Sequence, residues 1–354
     1  MHPLIIPFFI PHAGCPHTCL FCDQHLISGE QAVLPSRERI VDTVETWLTR
    51  SPGRPAEVAF YGGSFTLLPR SEQQRLLDGV APFIASGQVA GIRISTRPDA
   101  LDTTTLDFLA AHQVRTIEIG VQSLDDEVLL RSGRGHTRQQ SLDALRRVAA
   151  AGFRVGAQLL PGLPADTPAK ALSSVHGAIV AGAQFLRIYP VVVLSGTGLA
   201  ELYHQGHYRP PGLDDGVATS ARLLHAALVA GCPVIRIGLQ ADEGLARRDT
   251  ILAGCWHPAL GHLVKGELYY DLVLQLTKHQ SMSGATMLFC HPSRLSEVQG
   301  HSQRNLTRWQ QNGLAITVQP DNSLTHYEVR LKNMQHGLIG SLVTSLNYEE
   351  SMHA

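Results

Sequence analysis

Residues 15–22 read Cys15-Pro16-His17-Thr18-Cys19-Leu20-Phe21-Cys22, which puts three of the six cysteines of a 354-residue chain on one short stretch. Thiols at this spacing are close enough to share a single metal centre. A structural zinc site closes on four ligands, and His12, His17 or His25 stands near enough to be the fourth. An iron-sulfur cube held by three cysteines instead leaves one iron open. Spacing alone keeps both readings alive. Cys232, Cys255 and Cys290 are scattered among unrelated residues, the pattern of reduced thiols rather than disulfide pairs, so a cytoplasmic protein is expected.

Just before the cysteines, Leu4 to Phe9 is apolar. No Lys or Arg precedes it, and Pro3, Pro7 and Pro11 would break the helix of an export leader, so it reads as a buried first strand. Beyond the cysteines, strands are expected near Glu57 to Tyr61, Gly91 to Thr96, Val114 to Gly120, Phe153 to Leu160 and Phe185 to Pro190. Helix-period segments lie between them: Ser36 to Arg50, Arg70 to Ala85, Thr103 to Ala111, Arg138 to Ala151 and Pro168 to Ala181. Such alternation means βαβ crossovers and a parallel sheet, with the post-strand loops gathered at its carboxyl edge. The expected fold class is α/β. A partial (β/α)6 barrel fills residues 1–200, a barrel-closing extension 201–284, and a small α/β domain 285–354. The extension holds a helix Val217 to Ala230, a strand Pro233 to Ile237 and a helix Ala259 to His279, and the turn Ser281 to Gly284 marks its end. The last segment reads as a strand Ala285 to Cys290, two short helices, and strands Ala315 to Gln319 and His326 to Leu331.

Hydrophobic residues make up 44% and charged residues 17% of the chain, and the formal net charge is −1. This is a globular composition without the run of about 18 apolar residues that spans a membrane. The neutral balance excludes a bulk positive field, so any RNA contact needs a local patch.

With an aromatic before its third thiol, the cysteine stretch resembles the signature of radical S-adenosylmethionine (SAM) enzymes. The strand ends extend the resemblance: Phe60-Tyr61-Gly62-Gly63-Ser64, Ser95-Thr96-Arg97-Pro98-Asp99, Gly120-Val121-Gln122-Ser123, Arg134-Gly135-His136-Thr137, Gln158 to Pro164, and Ile188-Tyr189-Pro190. These are similar to segments of the branch that contains Elongator-protein-3-like and anaerobic-coproporphyrinogen-oxidase-like proteins. Ser195 to Leu202 brings the Elongator subunit nearer, and the likeness runs over roughly residues 4 to 270.

The resemblance implies an enzyme with one [4Fe-4S] cluster on Cys15, Cys19 and Cys22, whose open iron takes SAM. Reductive cleavage of SAM would then give a 5′-deoxyadenosyl radical that abstracts a hydrogen atom. It also implies an electron donor of flavodoxin or ferredoxin type. The family's cofactor contacts fall on Gly62 and Gly63 at the SAM amino group, on Ser64 where relatives often carry Glu, and on Gln122 at the ribose and Arg134 at the carboxylate. Ser95, Arg97, Gln158 and Tyr189 complete the set. Each has a plainer reading: Gln122 as a loop-bonding amide, Arg134 as a surface cation, Arg97 as the partner of Asp99, Gln158 as a core amide, and Tyr189 as packing. No residue is singled out for the substrate's own chemistry.

Nothing after residue 284 resembles the Elongator acetyltransferase domain. Val298 to Leu306 faintly resembles the helix-loop-helix of a KH module, with Gln303 where the second glycine of its GxxG loop belongs. His301, Arg304 and Arg308 form either a local basic face or a solvated helix surface. The expected substrate is a tRNA or other nucleic-acid component. The alternatives are a small molecule such as a tetrapyrrole, a peptide, or a non-catalytic carrier of a cluster or haem or a binder of RNA. Oligomeric state is not legible.

Overall fold

The structure is a computed structural model that describes residues 3–16, 19–24, 26, 33–239, 250–280, 284–334 and 337–348. His17 and His25, two of the three histidines weighed as a fourth metal ligand, and residues 281–283 of the expected boundary turn lie outside the described residues. The chain divides into two compact units, Met1–Pro211 with Cys232–Gly254, and Gly212–Gly231 with Cys255–Ala354.

In chain order the first unit holds β1 (Leu4–Phe9), α1 (Arg37–Arg50), β2 (Ala56–Tyr61), α2 (Arg70–Ala85), β3 (Val89–Thr96), α3 (Thr103–Ala111) and β4 (Val114–Gln122). It continues with α4 (Asp126–Arg131), α5 (Arg138–Ala150), β5 (Arg154–Leu159), α6 (Pro168–Val180), β6 (Phe185–Ile188), β7 (Val192–Leu194) and α7 (Gly198–His204). After the chain returns from the second unit come β8 (Val234–Ile237) and β9 (Ile251–Gly254). The main sheet is parallel, in the order β1-β2-β3-β4-β5-β6-β8. The partial barrel thus appears as expected, curled as a half-barrel, with β8 as a seventh strand paired to β6. A short antiparallel pair, β7 with β9, was not legible in the sequence, because strands of three and four residues carry no period.

Helices are set by caps as much as by their apolar stripes. The side chains of Ser36, Asp102, Asp125, Thr137, Thr167 and Thr197 each accept the backbone N–H three residues on, at the starts of α1, α3, α4, α5, α6 and α7. Each cap satisfies a donor that a helix N-terminus would otherwise leave orphaned. Because the strands run parallel, their ends at Phe9, Tyr61, Thr96, Gln122, Leu159 and Ile188 all open on one edge.

The second unit holds α8 (Leu213–Val229), α9 (Leu260–His279), β10 (Gly284–Cys290), α10 (Leu295–Gln299), α11 (Arg304–Gln311), β11 (Leu314–Pro320), β12 (Glu328–Lys332) and β13 (Gly337–Ser341). Its sheet runs β11-β10-β12-β13, with β10 parallel to β11 and antiparallel to β12. Trp309 is fully buried and its ring stacks on Tyr270. In the KH-like segment, Gly300 is needed because a Cβ there would come within 2.8 Å of Asn305, whose amide donates to the carbonyls of Gly266 and Val298. Of the three residues weighed as a basic face or a solvated helix surface, two are ion-paired within this unit. Arg308 forks onto Glu267 at 2.6 and 2.8 Å, and Arg304 pairs with Asp214 at 2.8 Å. Among the described residues no helix is long and apolar enough to cross a membrane.

Candidate functional site

The cysteine loop leaves the end of β1 and lies flush against the turn that ends β2. Ser64 N–H donates to Ala13 O at 2.9 Å, and Ile10 N–H to Tyr61 O at 2.8 Å. A Cβ on Gly63 would sit 2.2 Å from Ala13 O and 2.7 Å from Ile10 O, and one on Gly14 would sit 2.4 Å from Ser64 O. Backbone therefore meets backbone at this contact, and glycine is required there by the loop itself. Gly62 differs: its φ is +99°, and a Cβ on it would have no atom nearer than 3.7 Å. The far side of the loop is pinned through Leu20, whose N–H donates to Ser132 O at 3.2 Å and whose carbonyl accepts from Leu199 N–H at 2.7 Å. The Ser195 to Leu202 segment thus serves to clamp the cysteines.

All three thiols of the loop are free; Cys19 is buried, and Cys15 and Cys22 are half-buried. Burial first, and then the charges of Cys19 and Cys15, push the Cys22 thiol up to about 12. The other three cysteines are buried, and burial raises their thiols to about 11 at Cys232 and Cys290 and about 12 at Cys255, so these are inert packing groups. The nearest polar neighbours of the loop thiols come from strand ends and the segments after them. Ser64 Oγ lies 3.3 Å from Cys15 Sγ, and Arg134 Nη1 lies 3.4 Å from Cys19 Sγ.

Arg134 is no surface cation. It is 8% exposed, donates from Nη2 to Gly120 O at 2.7 Å, and donates from Nε to His136 Nε2 at 3.1 Å. His136 is missing from the set expected from sequence, although its segment was recognised. Burial, then the Arg134 charge, lower its pKa to about 4, so the ring stays neutral and can accept from the guanidinium. Gly120 is where Arg134 and Gln122 meet: a Cβ on it would lie 2.7 Å from Arg134 Nη2 and 2.9 Å from Gln122 Nε2. Gln122 itself has φ +64°, and its carbonyl accepts Leu160 N–H at 2.9 Å. Arg97 is 2% exposed and forks onto Asp99 at 2.9 Å on both arms, so its plainer reading holds here. Although burial raises the Asp99 carboxyl, the Arg97 contacts outweigh it and hold the group below the usual carboxylate range.

Gln158 and Tyr189 belong to a network on the inner face of the sheet that sequence reasoning missed. Gln158 Nε2 donates to Glu118 Oε2 at 3.0 Å and approaches Ser95 Oγ at 3.4 Å. Arg187 donates to the hydroxyls of Tyr189 at 3.1 Å and Tyr61 at 2.8 Å, and to Glu118 Oε1 at 2.9 Å. Its Nε stands 2.7 Å from Glu118 Oε2 but out of line for a hydrogen bond. Arg93 bridges Glu118 at 2.8 Å and Glu57 at 2.7 Å. Below them Phe185 fills the space left by Gly156, where a Cβ would fall 2.3 Å from the ring. The missed signal was a charged residue at alternate positions of apolar strands: Arg93 in β3, Glu118 in β4 and Arg187 in β6. Burial opposes the Arg187 charge, but Tyr189, Glu118 and Tyr61 together raise its pKa above the usual value.

Comparison with known proteins places this geometry. The family described as Radical SAM superfamily matches residues 9–175, and the family described as Radical_SAM C-terminal domain matches residues 183–270. Over 208 residues the chain is 29% identical to an uncharacterized protein of Methanocaldococcus jannaschii, a match covering 55% of this chain and 63% of that protein. Over 188 residues it is 28% identical to Elongator complex protein 3 of Saccharomyces cerevisiae, covering 48% of this chain and 34% of that protein. The chain therefore spans less than two thirds of the length of these relatives. The archaeal Methanocaldococcus infernus Elp3 with an N-terminal deletion shares the fold, with a TM-score of 0.57 at 19% identity over 78% of this chain and 63% of that one.

The superfamily implies a [4Fe-4S] cluster with three cysteine ligands, and SAM. The donor set fits: three free thiols sit on one loop that is clamped on both sides, with a guanidinium beside one sulfur. Among the described residues no three Cys, His, Asp or Glu side chains are closed on one metal-binding point. Three thiolates repel one another until a cation neutralises them, so a site of this kind closes together with its metal. His12 Nε2 accepts Gln24 N–H at 2.9 Å, which leaves the ring committed to its own loop. Two successive family matches over more than half of its length, on a parallel half-barrel with the three-cysteine loop at its carboxyl edge, show that the chain belongs to the radical SAM superfamily.

Proposed function

We propose that the chain is a radical SAM enzyme acting on a tRNA or other nucleic-acid component. The cysteine loop carries this reading: three free thiols at the carboxyl edge of a half-barrel, with Arg134 against Cys19. Cys15, Cys19 and Cys22 would hold the cluster. Gly62, Gly63, Ser64, Ser95, Gln122, Arg134, Gln158 and Tyr189 would contact SAM, whereas the Arg97 guanidinium is occupied by Asp99. When bound, the cluster would pass one electron to SAM, whose cleavage to methionine would supply a 5′-deoxyadenosyl radical for hydrogen-atom abstraction. The protein's own part is placement. Arg134, buried and held by His136 and the Gly120 carbonyl, presents a fixed cation beside the cluster loop. At Gly62 no atom comes nearer than 3.7 Å to where a Cβ would stand, and the resemblance puts the SAM amino group beside this backbone. An external donor of flavodoxin or ferredoxin type would provide the electron.

Support for a nucleic-acid substrate is the likeness to Elongator complex protein 3. One observation favours a small molecule or peptide as the second reading: Arg304 and Arg308, the candidates for a local basic face, are both ion-paired. Protein reconstituted without oxygen, given dithionite and SAM, is expected to form 5′-deoxyadenosine, and Cys19→Ala to form none. Equal rates from both proteins would overturn the catalytic reading. The substrate class is tested separately by the modified nucleosides of bulk tRNA in a strain lacking the protein: loss of one supports the first reading, and an unchanged profile supports the second.

A further inference from the structure

Glu118 is fully buried in β4, and its carboxylate takes donors from four other strands. They are Tyr61 OH from β2 at 3.3 Å, Arg93 Nη1 from β3 at 2.8 Å, Gln158 Nε2 from β5 at 3.0 Å and Arg187 Nη2 from β6 at 2.9 Å. The sheet does not need this cluster for its pairing, which the backbone ladders supply. Nor is a buried ion cluster a better filling than well-packed apolar side chains, which is how barrel interiors are normally made. What such a cluster can do is fix the orientation of the polar groups around it.

Gln158 is where orientation matters. An amide offers two donors on one arm and an acceptor on the other, and an isolated amide can be turned either way. A carboxylate only accepts. With Glu118 beside it, the Gln158 amide must turn its N–H arm inward, toward Glu118 and Ser95 Oγ. Its carbonyl oxygen is then the arm left over, and among the described residues no donor reaches it. Gln158 is half-buried at the end of β5, so that oxygen is a fixed acceptor at the carboxyl edge of the barrel.

We propose that Glu118 is a positioning residue for the cofactor: it locks the Gln158 amide so that the carbonyl oxygen accepts a hydrogen bond from a ribose hydroxyl of SAM. This rests on the reading of Gln158 as a SAM contact. Arg187, anchored on the same carboxylate, holds the hydroxyls of Tyr61 and Tyr189 in the same frame.

The test compares SAM with its 2′,3′-dideoxyribose analogue, measuring the dissociation constant of each for anaerobically reconstituted protein by equilibrium dialysis. Wild-type protein is expected to prefer SAM by more than tenfold, about tenfold of it from the hydrogen bond to the Gln158 acceptor and the rest from the ribose contact of Gln122. Glu118→Gln lets the facing amides turn either way, so the preference should fall by about tenfold, leaving the part that belongs to Gln122. Gln158→Ala should do the same, and the double variant should lose nothing more. A purely structural role for Glu118 would weaken both ligands alike and leave the preference intact; that outcome overturns the inference. If Glu118→Gln does not fold, Glu118→Asp keeps the charge between the two arginines but withdraws it from the amide by one methylene, and a full preference there is equally fatal. Preference lost in Gln158→Ala but kept in the Glu118 variants sinks only the positioning role. Preference kept in Gln158→Ala sinks the underlying contact as well.

Discussion

Gly63 has carbonyl oxygens where any other residue would have its Cβ, those of Ala13 at 2.2 Å and Ile10 at 2.7 Å. Neither can move without lifting the loop that carries the cysteines. Gly63→Ala is therefore expected to destabilise the protein by about 1–3 kcal/mol, the usual result of forcing a methyl into filled space. Iron and sulfide bound per chain after reconstitution should fall with it, whereas Gly62→Ala, whose Cβ would make only ordinary contacts at 3.7 Å although φ is +99°, should keep more of both. His136 makes a second residue-scale prediction. Burial, followed by Arg134, lowers its pKa from 6.5 to about 4. The unfolded chain thus gains a proton below pH 6.5 that the folded chain resists, so this contribution is intact above 6.5 and is lost as pH falls toward 4. The loss amounts to about 3 kcal/mol. It should appear in thermal melting from pH 7 to 4 as the difference in slope between wild-type protein and His136→Gln.

Among the elements, α5 decides where Arg134 and His136 sit, because the segment that carries them runs straight into its N-terminus. Thr137 caps that helix in a reciprocal capping box with Gln140. Thr137→Ala should cost about 1 kcal/mol in chemical denaturation. Exchange of the α5 amide hydrogens should localise the loss there. Element by element, the long pieces were legible: α2 and α3 fall where the helix period puts them, and β2 through β6 follow their apolar runs. The short α4 and α7, and the β7–β9 pair, were not, since six or seven helical residues give too few turns for a period to stand out. The charged residues of β3, β4 and β6 were visible in the sequence but silent. One charge in an apolar strand says which residue departs from the pattern, not which partners it meets.

At the scale of the whole molecule, the acid response is a sum over both units. In the second unit Asp271 is raised from 3.8 to about 6, first by burial, with the neighbouring Glu267 adding to it and the Tyr348 hydrogen bond and Arg308 opposing. Its sign is opposite to that of His136. The folded protein holds the proton more tightly, so the contribution of Asp271 is full below 3.8 and is lost as pH rises through about 6. Between pH 4 and 6 the two groups should largely offset each other, leaving the melting temperature of the full chain nearly flat. Asp271→Asn should expose stability that rises with pH, and His136→Gln stability that falls; parallel slopes in the two variants would contradict the assignment. The sequence by itself determined the alternation of strands and helices, the three-cysteine loop after the first strand, and the resemblance that names its chemistry, because periodicity and ligand spacing are local along the chain. Only the tertiary structure decided that Gly63 serves the loop's own backbone, that Arg304 and Arg308 are neutralised, and that Glu118 gathers Tyr61, Arg93, Gln158 and Arg187. Those facts depend on residues tens of positions apart meeting across the sheet or between helices, and a hydrogen bond has no signature until its two ends are brought together.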